Sequence, residues 1–317
     1  MKVAPRTAIT AVGLALLSAL FFTSTYVLNR AAAVDGEHWA WTAVLRYVWT
    51  VPLMLPLMRG RWTSLWRVMR AKPGPWFLWS GIGFVLFYIG LTYAASSGPA
   101  WLIAGTFQLT VIAGMLCAPL LYRDARRRVP MSALACGALA VVGVAMMQSA
   151  QVQGSLHREA WIASICVAFA AFAYPLGNRG LLLHLEREGI ELDATQRVFG
   201  MTLASLPLWL PVAIYAAMHA GAPPLRQVML SGGVALGAGV IATVLFFRAT
   251  GMVRRDPVAL GAAEAMQAAE ILFAEAMGAM WLGEAWPHGI AAVGAIVVIA
   301  SIALFSVLVA LRPPQGP

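Results

Sequence analysis

Three carboxylates stand where carboxylates are costly. Glu264, Glu270 and Glu275 fall in one apolar run that reads Ala263-Glu264-Ala265-Met266-Gln267-Ala268-Ala269-Glu270-Ile271 and continues through Leu282. In a helix each residue advances about 100°, so Gln267 lies about 60° from Glu264, and Glu270 about 60° further in the same sense. The result is one polar stripe on a helix otherwise built of Ala, Met, Leu and Ile. Glu275 lies near the same edge, roughly two to three turns on. At a rise of about 1.5 Å per residue from Pro257, Glu270 comes about 20 Å along the axis, near the middle of a bilayer. A carboxyl removed from water holds its proton more tightly and can exchange it for a cation. That chemistry is proton and cation binding. The alternative is an internal ion pair, most simply with Arg248, and Arg46 and Arg197 are further charge partners placed inside apolar runs.

Other polar groups fall at similar depth. Gln108 sits in Thr106-Phe107-Gln108-Leu109-Thr110 and Tyr88 in a run rich in Val, Leu and Ile. Gln108 is placed to face Gln267 and Glu270, and a helix–helix hydrogen bond is the plainer reading of it. Tyr26 and Tyr174 suit a cavity wall offering aromatic or cation–π contact, with interfacial anchoring as the alternative.

The elements that position these residues follow from composition. The chain of 317 residues is 61% hydrophobic and only 11% charged, with a mean hydropathy of +0.77. Soluble domains carry about 25% charged residues, so a soluble fold is excluded. Ten runs are long enough to cross a bilayer: 8–29, 39–58, 76–95, 100–121, 130–148, 160–178, 197–217, 229–248, 258–282 and 289–311. The first is too long for the apolar core of a signal peptide, and the runs do not alternate as barrel strands would. Only Ser96-Ser97-Gly98-Pro99 separates the third from the fourth, which predicts a tight antiparallel pair. Trp39, Trp41, Trp62, Trp66, Trp76, Trp281 and Trp286 mark span ends, as an aromatic belt does.

Charge sets the orientation. Of the 22 Lys and Arg, all but six lie in segments on the side of the N-terminus. Arg30, Arg158 and Arg226 lie on the far side, and Arg46, Arg197 and Arg248 inside span ends. By the positive-inside rule both termini are cytoplasmic. The formal charge of +9 is therefore topology and contact with anionic lipid headgroups, not a nucleic-acid footprint. Cys117, Cys136 and Cys166 fall within spans with no CxxC spacing and read as packing residues. No phosphate-binding loop, HExxH or GxSxG pattern is present, so nothing points to ATP hydrolysis or an enzyme.

The chain also repeats itself. Tyr26-Val27-Leu28-Asn29-Arg30 is echoed by Tyr174-Pro175-Leu176-Gly177-Asn178-Arg179, Arg46 by Arg197, Thr92-Tyr93-Ala94 by Phe247-Arg248-Ala249, and Gly137 and Gly143 by Gly289 and Gly294. The offset is about 150–155 residues throughout. Two units result, residues 1–150 and 151–317, each with five spans. An odd number inverts the second unit, giving an all-α integral membrane protein of ten transmembrane helices in two inverted five-helix repeats.

Several stretches resemble the drug/metabolite transporter superfamily, its EamA-like ten-span exporters, and specifically its multidrug resistance efflux branch. They are Leu20-Phe21-Phe22-Thr23-Ser24-Thr25-Tyr26-Val27-Leu28-Asn29-Arg30, Leu45-Arg46-Tyr47, Ser97 to Thr106, Phe172 to Arg179, Glu264 to Glu270 and Leu282-Gly283-Glu284. The resemblance implies proton-linked export of small organic molecules. The expectation is a secondary transporter of the bacterial inner membrane. It exports small cationic, zwitterionic or aromatic solutes by alternating access, with protons as coupling ion and no other cofactor. Glu264 and Glu270 share proton and substrate, while Gln267, Gln108, Tyr26 and Tyr174 shape the cavity. Its partners are the solute and membrane lipid, not nucleic acid, and it works as a monomer, with a dimer left open. An importer or facilitator of a choline-like or nucleoside-like solute is the alternative, and a non-transporting receptor or enzyme a more distant one.

Overall fold

The computed structural model describes residues 4–123, 131–149, 157–253, 263 and 266–310, and every regular element among them is a helix. From the N-terminus, α1 (Pro5–Phe22) and α2 (Ser24–Val34) form one rod jointed at Thr23, whose hydroxyl donates back to the Ala19 carbonyl. A second rod, α3 (Trp39–Met54), runs back, and α4 (Trp62–Ala71) follows it. The next rod contains α5 (Pro73–Ser80), a π-helical stretch Gly81–Leu86 and α6 (Phe87–Ala94). Three short helices follow, α7 (Ala100–Phe107), α8 (Thr110–Leu116) and α9 (Ala118–Leu121), then α10 (Met131–Ser149). The second half holds α11 (His157–Arg187), α12 (Ala194–Ala220) and α13 (Leu225–Val234). A second π-helical stretch, Ala235–Ala242, leads into α14 (Thr243–Val253). The chain closes with a 3₁₀ turn, Met266–Ala268, then α15 (Ala269–Leu282) and α16 (Ile290–Ala310).

Five of these rods are long and apolar enough to cross a membrane: 6–34, 73–94, 161–187, 194–220 and 225–253. Shorter apolar helices over 135–147 and 290–304 stand with them. Large apolar side chains face outward along the rods, among them Leu16, Ile165, Phe169, Leu210, Ile214 and Met280. Water would penalise such a surface and lipid does not, so this is a multi-pass membrane protein.

Several expectations are corrected. The runs 100–121 and 258–282 are not unbroken helices. At Gln108 and Leu109 the backbone N–H groups bond carbonyls three residues back, Gly105 and Thr106, which tightens the turn and ends α7. Met266–Ala268 is likewise 3₁₀. The tight pair across the 96–99 turn does not form: α6 packs on α11 and α3, whereas α7 packs on α15 and α11. Pro99 starts α7 in extended geometry and lets it leave the turn for those neighbours. The 59–72 segment between the second and third runs contains α4, with Leu65 and Met69 buried and Arg67 and Arg70 exposed. Trp76 is buried rather than belt-forming, because Gly200 leaves room for its ring; a methyl group there would overlap it.

Packing joins elements far apart in sequence. α1 lies on α14, α6 on α11, α3 on α12, α7 on α15 and α10 on α16. At two crossings the backbones touch: Gly83 against Gly177, and Gly143 against Gly294, where any Cβ would collide with the facing chain. Small residues permit this approach, and dispersion between close backbones stabilises helix pairs in lipid.

Candidate functional site

The breaks and π-helical stretches surround one cavity of about 510 Å³. The jointed first rod brings in Phe22 just before Thr23 and Thr25 and Tyr26 just past it. From α3 come Arg46, Tyr47 and Thr50, from the first π stretch Phe84, and from the second Ala238 and Gly239. A π turn carries an extra residue and loosens the backbone ladder, and such stretches recur at functional sites. Here side-chain hydroxyls serve carbonyls in both: Tyr47 donates to Phe84 O at 3.1 Å, and Ser18 to Ala242 O at 2.9 Å.

Among the described residues Glu270 is the cavity's carboxylate. It lies in the first turn of α15, directly after the 3₁₀ segment, and is buried. Its Oε2 accepts a hydrogen bond from the Tyr26 hydroxyl at 2.9 Å. Beside it, Gln108 Nε2 donates to the Gln267 carbonyl at 3.3 Å, so the two broken rods meet through these glutamines. Tyr174, Phe87, Phe107 and Tyr26 form an adjoining aromatic wall, with ring centroids 4.9 Å apart for Phe87–Tyr174 and 6.4 Å for Tyr26–Phe107. The structure thus brings Tyr26, Tyr174, Gln108, Gln267 and Glu270 together, with Arg46 on the same lining.

The other expected residues lie elsewhere. Glu264 is outside the described residues. Arg248 is exposed on α14 and is not Glu270's partner; the Tyr26 phenol occupies that place. Arg197 and Glu275 are half-buried and not among the cavity residues. Glu270 and Glu275 lie on one continuous helix five residues apart, about 140° round its axis, so Glu275 is carried to a different face from the cavity.

Sequence reasoning missed Phe87 and Phe107, because an aromatic residue in an apolar run carries no signal that it faces a cavity rather than a neighbour. It also missed the role of Asn29, whose Oδ1 accepts from the Tyr88 hydroxyl at 3.1 Å and fixes that ring. The repeat of Asn29 at Asn178, another cavity residue, was the available signal.

The two ends of the bundle carry ion pairs. At the end bearing α4, Arg61 pairs with Asp193 at 2.7 Å and Lys72 with Glu188 at 2.5 Å. The hydrogen bond from Lys72 holds the exposed Glu188 carboxyl below its usual range. At the opposite end Arg226 pairs with Asp35, and Arg30 Nε with Glu284 Oε1 at 3.0 Å. Burial, then the nearby Asp35, pushes the Glu37 carboxyl up there.

The fold and site define an all-helical, multi-pass membrane protein built round a polar and aromatic cavity. The family model described as EmrE, putative multidrug resistance efflux transporter, matches residues 9–310, and the chain belongs to that family of membrane transporters. It is 40% identical to the uncharacterized protein YjlA of Bacillus subtilis (strain 168), over 96% of this chain and 97% of that one. It is 38% identical to an uncharacterized 42.1 kDa protein of Shouchella clausii, encoded in the intracellular alkaline protease 3′ region, over 77% of this chain and 65% of that protein. A solved structure titled only as the crystal structure of a protein aligns with a TM-score of 0.60 at 16% identity, over 94% of this chain and 97% of the other, which is a likeness of fold.

Proposed function

We propose that this transporter exports a small cationic, zwitterionic or aromatic solute in exchange for protons, by alternating access across a bacterial inner membrane, with both termini cytoplasmic. The observation that carries the reading is the buried Glu270 carboxylate in the cavity, bonded to a neutral phenol and, among the described residues, to no cation. Proton and solute compete for it. When protonated it has no charge to hold a cationic group; when ionised it has, and the Tyr26 hydroxyl supplies a donor in both states. Protons are the only coupling species required, and no other cofactor enters.

Alternating access follows from ten spans in two inverted repeats, 1–150 and 151–317. Exchanging the two sets of five spans turns the α1–α14 contact into the α6–α11 contact and maps the others onto themselves. It also relates the π stretch at 81–86 to that at 235–242, and the Lys72–Glu188 pair to Arg226–Asp35 at the other end. Transporters of this design place substrate at the repeat interface beside discontinuous helices, and the breaks at 108–109 and 266–268 meet that description.

The test is flux in proteoliposomes under an imposed pH gradient, using a set of aromatic amines and amino acids. Wild type should accumulate or release solute with the gradient, and Glu270→Gln should fall to the level of protein-free vesicles. Undiminished proton-driven flux in that variant would remove the assignment. Counterflow without a gradient separates export from facilitated import.

A further inference from the structure

Arg46 presents a second charge to the same cavity, and proton exchange at Glu270 leaves it without a task. It lies on α3, with its guanidinium carbon 4.2 Å from the Tyr88 ring centroid and 4.8 Å from that of Tyr47. Both rings are buried and fixed: Tyr88 donates to Asn29 Oδ1, and Tyr47 to the Phe84 carbonyl. Stacking on two rings orients the cation and offsets part of its desolvation. It does not neutralise the charge. Among the described residues no carboxylate reaches Arg46, and its buried Nε makes no hydrogen bond.

The other arginines near the bundle's interior differ. Arg30 has Glu284, and Arg179 donates to the Gly114 carbonyl. Arg179 also lines the cavity, but among the described residues it stacks on no ring, whereas Arg46 combines its cavity position with rigid aromatic support and an unused Nε. Arg46 is half-buried, and a cation partly removed from water with no anion is destabilising, so a partner arriving from the cavity gains more there than it would in water. The planar guanidinium fork matches the two oxygens of a carboxylate.

We propose that Arg46 is the carboxylate-binding residue of the transport cavity and that the solute is therefore a zwitterion. Its ammonium group is held by Glu270, its carboxylate by Arg46, and its apolar or aromatic part by the Tyr26, Phe87, Phe107 and Tyr174 rings. This rests on the transporter reading above, and it selects one of the three solute classes named there.

Three probes that share a phenyl group test it: phenethylamine as cation, phenylalanine as zwitterion and 3-phenylpropionate as anion. Binding is measured by calorimetry on purified protein in lipid nanodiscs. Wild type should bind phenylalanine about tenfold or more tighter than phenethylamine, the increment expected of one charge-assisted bidentate contact. Arg46→Gln should bring the two to parity, while Arg46→Lys, which keeps the charge and loses the fork, should retain part of the preference. Melting curves matching wild type show that either variant is folded. The proposal is overturned if phenethylamine binds as tightly as phenylalanine in wild type, if a folded Arg46→Gln keeps the preference, or if none of the three binds. Proton-driven phenethylamine flux that depends on Glu270 would overturn the zwitterion while leaving proton-coupled export intact. Flux of phenylalanine that ignores the gradient but still requires both Glu270 and Arg46 would do the reverse.

Discussion

Glu270 and Glu284 stand at the two ends of α15 and are both shielded from water, yet their surroundings differ in kind. Glu284 is fully served. Arg30 Nε approaches Oε1 at 3.0 Å, and the Ala100 backbone N–H donates to Oε2 at 3.0 Å. The same arginine reaches the Ala95 carbonyl at 2.8 Å, so one carboxylate ties the first rod, the 95–99 turn and the start of α7. Among the described residues Glu270 receives only a phenol hydroxyl. A carboxylate with a cation and a backbone donor keeps its charge and its place. One with a neutral donor can change its charge without dismantling its neighbours. Burial alone would rank the two together; their partners separate structure from transport.

The largest expected effect breaks the comparison outright. Glu270→Gln should abolish proton-driven flux with little change in melting temperature, whereas Glu284→Gln should keep the pH dependence of flux and lose about 2–3 kcal/mol of stability by leaving Arg30 unpaired. Flux in both variants and melting of both, measured side by side, decide it; a Glu284→Gln protein that melts like wild type would contradict the structural role. Next, Tyr26→Phe removes the one donor to Glu270 and should slow transport about tenfold, the worth of a hydrogen bond to a charged group, with a shifted pH optimum as its signature. Glu275→Gln sharpens the contrast from the other direction. Half-buried and away from the cavity, Glu275 should respond within about 0.5 kcal/mol in stability, with flux unchanged.

The smallest effect concerns the exposed Lys72–Glu188 pair. A carboxyl whose value is lowered on folding contributes stability above the ordinary Glu range and loses it as pH falls through the lowered value. Wild type should therefore melt slightly above Glu188→Gln near neutrality and coincide with it in acid. Parallel melts at several pH values check both arms, and a gap that persists in acid would show that charge is not its source.

Membrane residence, the helical runs and the cluster of Tyr26, Gln108, Gln267 and Glu270 were legible because costly polar residues in apolar runs announce themselves. Glu275 and Arg248 fall away from the cavity for separate reasons: Glu275 is about 140° round α15 from Glu270, and Arg248 sits on the exposed face of α14, which sequence spacing within one run cannot show. The Gly-rich run 232–239 is π-helical from Ala235, and nothing in composition distinguishes a π stretch from close packing. Arg46 was visible as a charge inside an apolar run. Its support was not, since Tyr47, Tyr88 and Asn29 come from three separate rods.

The glycine crossings have a consequence for ancestry. Where Gly83 meets Gly177 and Gly143 meets Gly294, neither strand of descent has a side chain to remodel. A mutation on one side cannot be answered by trimming side chains alone, because the facing backbone itself stands in the way. Lineages can leave these four positions only by moving a whole helix. The crossings therefore act as fixed points about which the rest of the sequence is free to drift, and relatives that have abandoned one should show a displaced rod.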